Sequence, residues 1–173
     1  MFYYTGIGSR QTPDKILSLM EQLGSYLGQM GYNLRSGGAN GADSAFEKGC
    51  IAVNGRKEIF LPWPGFRGKS GEDYLNLNLN SSEAIKIAAL CHPRWATLRE
   101  GDKLLHARNV HQVLGRDLQS PSQFILFWSR SNGDGDYVGG TSQAIRVAAR
   151  CNVPYFDLGI KEKYDEFLRF IRV

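Results

Sequence analysis

Two stretches of this sequence carry the residues best suited to holding an anion. Ser36-Gly37-Gly38-Ala39-Asn40-Gly41-Ala42-Asp43 follows Tyr32-Asn33-Leu34-Arg35, and Val138-Gly139-Gly140-Thr141-Ser142-Gln143 comes after the apolar run Phe124-Ile125-Leu126-Phe127-Trp128. Glycines between a strand and a helix let main-chain N–H groups approach an anion at the positive end of the helix. Two such turns on one sheet point to a pocket for a phosphorylated or nucleotide-like ligand. A pair of tight turns with no ligand is the alternative.

Side chains around these turns extend the chemistry. Gly6-Ile7-Gly8-Ser9-Arg10 ends the first apolar run with a hydroxyl and a guanidinium. Arg10 could clamp a phosphate with two hydrogen bonds and Ser9 could donate another, or Arg10 is an ordinary surface arginine. Asp43, just inside a helix, either stabilises the helix N-terminus or takes a ribose hydroxyl. In Leu105-His106-Ala107-Arg108-Asn109, His106 and Asn109 lie one helical turn apart. Arg108 is a candidate for a second phosphate or ribose contact, with a solvated helix-face arginine as the competing reading. Trp63, between Pro62 and Pro64, is a core residue or a platform for a base.

Several other chemistries find no support. His106 and His111 lack metal-ligand spacing, and no Ser-His-Asp ordering or GxSxG turn is present. Cys50, Cys91 and Cys151 form no CxxC pair and read as buried free thiols in a reducing compartment. Neither a metal nor a cofactor is expected.

The elements that must position these residues alternate. Strands are expected over Phe2–Ile7, Tyr32–Ser36, Lys57–Leu61, Phe124–Ser129 and Val153–Leu158. The first helix opens at Pro13 with Thr12 as N-cap, buries Ile16, Leu19, Met20, Leu23 and Leu27, and ends at Gly31. Further helices are expected near Ala42–Val53, Ser81–Leu90, Gly101–Leu114, Ser142–Cys151 and Lys161–Ile171. Residues 65–80 read as a long polar loop or lid, and Arg130–Tyr137 as a mobile acidic loop. The order implies an α/β fold: a single Rossmann-like three-layer domain over 1–173, with a parallel sheet of about five or more strands. Ligands of such sheets bind beyond the carboxyl strand ends, where strand order reverses. Both glycine turns and Gly8-Ser9-Arg10 fall at that edge.

Composition fits this picture. The 173 residues, 42% of them hydrophobic, can bury an ordinary globular core. The net charge of +4 is mild and its basic residues are scattered, which excludes a dedicated nucleic-acid arm. No run reaches the roughly 18 apolar residues of a membrane span and no secretory leader is evident, so a cytoplasmic protein is expected.

Thr5-Gly6-Ile7-Gly8-Ser9-Arg10, the turn Ser36–Asp43 and the pair Arg108-Asn109 resemble the corresponding parts of DprA/Smf proteins. These belong with the LOG phosphoribohydrolases in the SLOG superfamily of Rossmann-like folds. The resemblance spans about residues 2–159 and is nearest to stand-alone DprA-like proteins of tailed phages. It implies a host-cell cytoplasmic location if the chain is phage-encoded. LOG enzymes carry Met-His-x-Arg-Lys and Pro-Gly-Gly-x-Gly-Thr-x-x-Glu segments. Here the first becomes Leu105-His106-Ala107-Arg108-Asn109, and in the second the catalytic glutamate falls on Arg146. A cation there opposes stabilisation of an oxocarbenium-like ribosyl centre, so no catalytic residue is expected.

The resulting expectation is a protein that binds, and sequesters without turnover, a nucleotide-derived signal: an NAD- or ADP-ribose-derived or cyclic nucleotide of the kind SLOG immune effectors sense. Main-chain amides of Gly37, Gly38, Gly139 and Gly140 would contact phosphates, with Ser9, Arg10, Arg108 and Thr141 around them. Asp43 or Asn109 would take the ribose, and Gly8, Ala39 and Gln143 complete the lining. Family precedent implies a dimer or higher homo-oligomer and no membrane partner. The alternatives are a nucleoside-monophosphate phosphoribohydrolase and a DprA-like mediator binding single-stranded DNA.

Overall fold

Phe124-Ile125-Leu126-Phe127 offers no polar face, so a strand made of it must be covered on both sides. The computed structural model, which describes residues 1–71, 74–76, 81–133 and 136–172, covers it in that way. Six strands form one sheet: β1 (Phe2–Gly8), β2 (Tyr32–Ser36), β3 (Lys57–Leu61), β4 (Tyr74–Asn76), β5 (Phe124–Trp128) and β6 (Tyr155–Asp157). Their order is β4-β3-β2-β1-β5-β6, and every adjacent pair is parallel. The helices are α1 (Asp14–Gln29), α2 (Ala42–Ala52), α3 (Ser81–Leu90), α4 (Glu100–Leu114), α5 (Gly140–Arg150) and α6 (Lys161–Phe170). This is the expected Rossmann-like α/β architecture.

Alternation along the strands divides the core in two. Tyr4, Phe124 and Leu126 join Met20, Leu23 and Leu27 of α1, Phe46 and Cys50 of α2, and Phe167 of α6. Ile7, Ile125 and Phe127 join Ala84 and Ala88 of α3, Val110 and Val113 of α4, and Ala144 and Val147 of α5. The stripe expected of α1 is realised, with Ile16 and Leu19 at its half-buried margin. Small residues draw α1 and α2 together. A Cβ on Gly49 would lie 2.0 Å from the Glu21 carbonyl oxygen, and one on Gly24 2.6 Å from that of Phe46.

The chain steps outward from β1 through β2 and β3 to β4, then returns past β1 to β5. Strand order therefore reverses between β1 and β5, whose ends are in register at Gly8 and Trp128.

Some local expectations change. Residues 65–80 are not wholly loop: a single 3-10 turn at Phe66–Gly68 and the edge strand β4 interrupt them, β4 pairing with Ile59–Leu61. Leu75 next to Tyr74 gives β4 enough apolar surface to extend the sheet, and the polar neighbours mask that signal. The lid expectation for 72–73 and 77–80 lies outside the described residues. Thr12 does not cap α1. Pro13 takes that place with extended backbone, its carbonyl accepting from Ile16 and Leu17, while the Thr12 hydroxyl donates to the Ser9 carbonyl at 2.6 Å. Cys50 and Cys91 are buried, but Cys151 is exposed, because it lies at the outward turn ending α5. Within Arg130–Tyr137, Ser131 and Tyr137 pair antiparallel in an isolated bridge. Among the described residues no helix is long and apolar enough to cross a membrane.

Gly49→Ala should lower the unfolding free energy by about 1–3 kcal/mol through overpacking of α1 on α2. Gly101→Ala, whose new methyl meets open space, should leave it unchanged or slightly raised. Calorimetric unfolding of both variants checks this.

Candidate functional site

The first glycine turn is built around close approach. A Cβ on Gly37 would fall 2.1 Å from Nη1 of Arg108 and 2.3 Å from Nε2 of Gln112, so no other residue fits without moving them. Gly41, at φ 84°, passes so near the β1 exit that a Cβ would sit 2.8 Å from the Cα of Arg10. The main-chain N–H of Ala42 reaches the Ser9 carbonyl at 3.4 Å, and the N–H of Ser9 donates to the Trp128 carbonyl at 2.9 Å. The ends of β1, β2 and β5 are thus joined.

Asp43 lies inside this turn, 3% exposed. Its Oδ2 accepts the Ala39 N–H at 3.2 Å. Burial pushes its carboxyl up to about 6, against the pull of the Arg108 guanidinium and of the Ala39, Gly37 and Gly8 amides. The turn therefore points its amides at the chain's own carboxylate.

Arg108 and Asn109 connect the two turns. Arg108 is not a solvated helix-face residue: it is buried, its Nη1 donates to the Gly37 carbonyl through a short bond, and its Nε donates to Asn109 Oδ1 at 3.1 Å. Asn109 Nδ2 donates onward to the Gly140 carbonyl at 3.0 Å and to Gln143 Oε1 at 3.2 Å. Gly37, Arg108, Asn109, Gly140 and Gln143 form one continuous chain of hydrogen bonds from turn to turn. Phe66 lies under the guanidinium, its ring centroid 5.8 Å from Cζ.

The second turn is open where the first is filled. Gly139, at φ 79°, caps α5, and both Gly139 and Gly140 are exposed. No side chain caps this helix end, although Thr141 and Gln143 are buried just behind it. Arg10 is exposed on the neighbouring loop, while the Ser9 hydroxyl accepts the Gln11 N–H at 3.0 Å. Asp136 accepts from the Ser142 hydroxyl at 3.0 Å and the Tyr137 N–H at 2.8 Å, and forms a short ion pair with Arg146. The structure thus gathers the candidates at one rim: Asp43, Arg108, Asn109 and Gln143 inside it, Arg10, Gly139 and Gly140 at its surface.

Sequence reasoning passed over Gln112 and Asp136. Gln112 was legible in principle, since α4 buries His106, Arg108, Asn109, His111 and Gln112 in succession. A helix that buries polar residues in this way is organising a network. Trp63 is 37% exposed and meets Phe66 edge-on at 5.2 Å. A separate open concavity of about 430 Å³, lined by Met1, Tyr3, Asn33, Gly55, Arg56, Lys57 and Glu58, lies at the opposite, amino end of the strands and holds none of these residues.

No family model matches this sequence, and no curated protein matches it. Among solved structures, the Moco carrier protein of Chlamydomonas rheinhardtii superposes with a TM-score of 0.57 at 15% identity, over 98% of this chain and 83% of that one. DNA processing protein A from Helicobacter pylori, whose structure addresses single-stranded DNA binding, gives 0.53 at 14% identity, over 97% and 72%. This chain shares the Rossmann-like fold of both.

Arg108→Ala should cost about 3 kcal/mol of stability, because it strands the Gly37 carbonyl and leaves Asp43 without its cation. Denaturant unfolding reads this directly. Asp43 should also give stability a pH dependence. A carboxyl raised in the folded state holds its proton more tightly than the unfolded chain does, so its contribution is greatest below pH 4 and is lost as pH rises through about 6. The unfolding free energy of wild type relative to Asp43→Asn should fall by about 2 kcal/mol between pH 4 and 7.

Proposed function

We propose that the chain is a SLOG-type domain, spanning 1–173, that binds a phosphate-bearing, nucleotide-derived ligand at the carboxyl rim and holds it without turnover. The observation that carries this reading is the strap from Gly37 through Arg108 and Asn109 to Gly140, which fixes both glycine turns at the strand-order reversal. The uncapped α5 end, with exposed Gly139 and Gly140, takes a phosphate on its main-chain amides, and Arg10 adds charge from the adjoining loop. Thr141, Ser9, Gly8, Gly38 and Ala39 line the approach. Buried Arg108 and Asp43 act by fixing the turns.

Absence of turnover follows from the position that LOG enzymes give to a glutamate. Arg146 occupies it, and its partner Asp136 is held in an ion pair. The carrier role named for the Chlamydomonas protein supports a binding function of this kind. In a phage-borne setting, holding an ADP-ribose-derived or cyclic nucleotide would remove an immune signal from the host cytoplasm. A homo-oligomer would enclose such a ligand more fully.

Single-stranded DNA is the second reading, supported by the likeness to DNA processing protein A. Thermal unfolding with ADP-ribose, NAD and cyclic nucleotides separates the two. The sequestration reading expects one class to stabilise the protein by about 3 kcal/mol near 100-fold excess over Kd, with no free base released on chromatography. Base release would establish hydrolysis instead. A salt-sensitive gel shift with oligo-dT, and no small-molecule stabilisation, would establish the DNA reading.

A further inference from the structure

We infer that His92, Trp95 and His106 form the shelf on which the ligand's aromatic base lies, an inference that rests on the proposed nucleotide-derived ligand at the glycine turns. His92 follows α3, and Trp95 begins a single 3-10 turn, Trp95–Thr97, ahead of α4. The ring centroids of His92 and His106 are 4.6 Å apart, and Trp95 lies 6.3 Å from each. His92 and Trp95 are half-buried and so keep accessible ring surface, while buried His106 backs them.

The cluster adjoins the strap. His106 precedes Asn109 by one helical turn, and the Gln143 amide lies against its ring. Even so, Nδ1 of His106 and Nε2 of Gln143 are both buried without a hydrogen-bond partner among the described residues. Buried polar atoms left unpaired are costly. The interaction of the Gln143 side chain with the His106 ring ties the aromatic cluster to Asn109 and so to the strap.

The shelf is also neutral. Burial and the neighbouring His92 hold His106 down at about 4, and burial with Arg146 and Arg94 lowers His92. Both imidazoles are uncharged at pH 7, which suits a neutral heteroaromatic ring better than a second phosphate. A base stacked on aromatic rings gains affinity whatever its identity, because every base has a π-face. Trp63 is the competing platform, since it is exposed on the β3 side of the rim.

Titration calorimetry with AMP, GMP, CMP and UMP against ribose 5-phosphate tests the shelf, alongside tryptophan fluorescence. At least one monophosphate should bind about tenfold tighter than ribose 5-phosphate and quench emission. Trp95→Leu should remove that advantage and the quench, while changing ribose 5-phosphate affinity less than twofold. His92→Ala should weaken the advantage in the same direction. The shelf is overturned if every monophosphate merely equals ribose 5-phosphate, which leaves the phosphate site intact. It is also overturned if Trp63→Leu, and not Trp95→Leu, removes the preference. Should neither the monophosphates nor ribose 5-phosphate bind, the shelf is overturned, and the pocket reading falls with it if ADP-ribose, NAD and the cyclic nucleotides also fail to bind.

Discussion

A guanidinium taken out of water costs several kcal/mol unless nearly all its donors and its charge are answered. Arg108 is in that position, and the way it is answered organises the whole rim. Its charge faces buried Asp43, one donor meets the Gly37 carbonyl, and another meets Asn109. Each partner belongs to a different local structure: the β2–α2 turn, the N-terminal end of α2, and α4 itself. Because the guanidinium is planar, those three directions are fixed relative to one another. Asn109 then passes the constraint to α5 through Gly140 and Gln143. Arginine, and not lysine, fits this junction, since a single ammonium on a flexible stem could not hold two directed bonds in one plane.

The two glycine turns look alike in sequence and differ in what fills them. In the first, Asp43 sits where its carboxylate faces the main-chain amides, so the turn already contains its anion. Burial lifts the Asp43 carboxyl to about 6, a sign that the amides and Arg108 do not fully offset the loss of water. In the second turn no side chain caps α5, and Gly139 and Gly140 face solvent. One turn is therefore a structural clamp and the other a vacant end.

This distinction was beyond reach of the sequence, although most of the fold was not. The apolar run Phe124–Phe127 and the stripe Met20, Leu23, Leu27 announce a two-sided sheet and an amphipathic cover, and both form as expected. β4 escaped notice because Tyr74 and Leu75 stand among glycines, asparagines and charges that read as loop. The positions of Gly37 and Arg108 were legible as candidates, but their mutual contact spans 71 residues and no local pattern encodes it. The same holds for His92 and His106, whose rings meet only once α3 has packed on α4. Spacing rules see along a helix or a strand; they do not see across a crossover.

The pairing of Arg146 with Asp136 bears most directly on chemistry. Hydrolysis at a ribosyl carbon requires a carboxylate free to face developing positive charge. Asp136 bonds to α5 through Ser142 and Arg146, and its oxygens are taken by these two and by the Tyr137 N–H. The guanidinium and the two hydrogen bonds hold its carboxyl below the usual range, so it stays ionised. Arg146, in turn, sets a positive charge directly beside this carboxylate. The ion pair with Arg146 and the bonds from Ser142 and Tyr137 leave Asp136 committed to the protein's own groups, while the Gly139 and Gly140 end of α5 carries no side-chain cap.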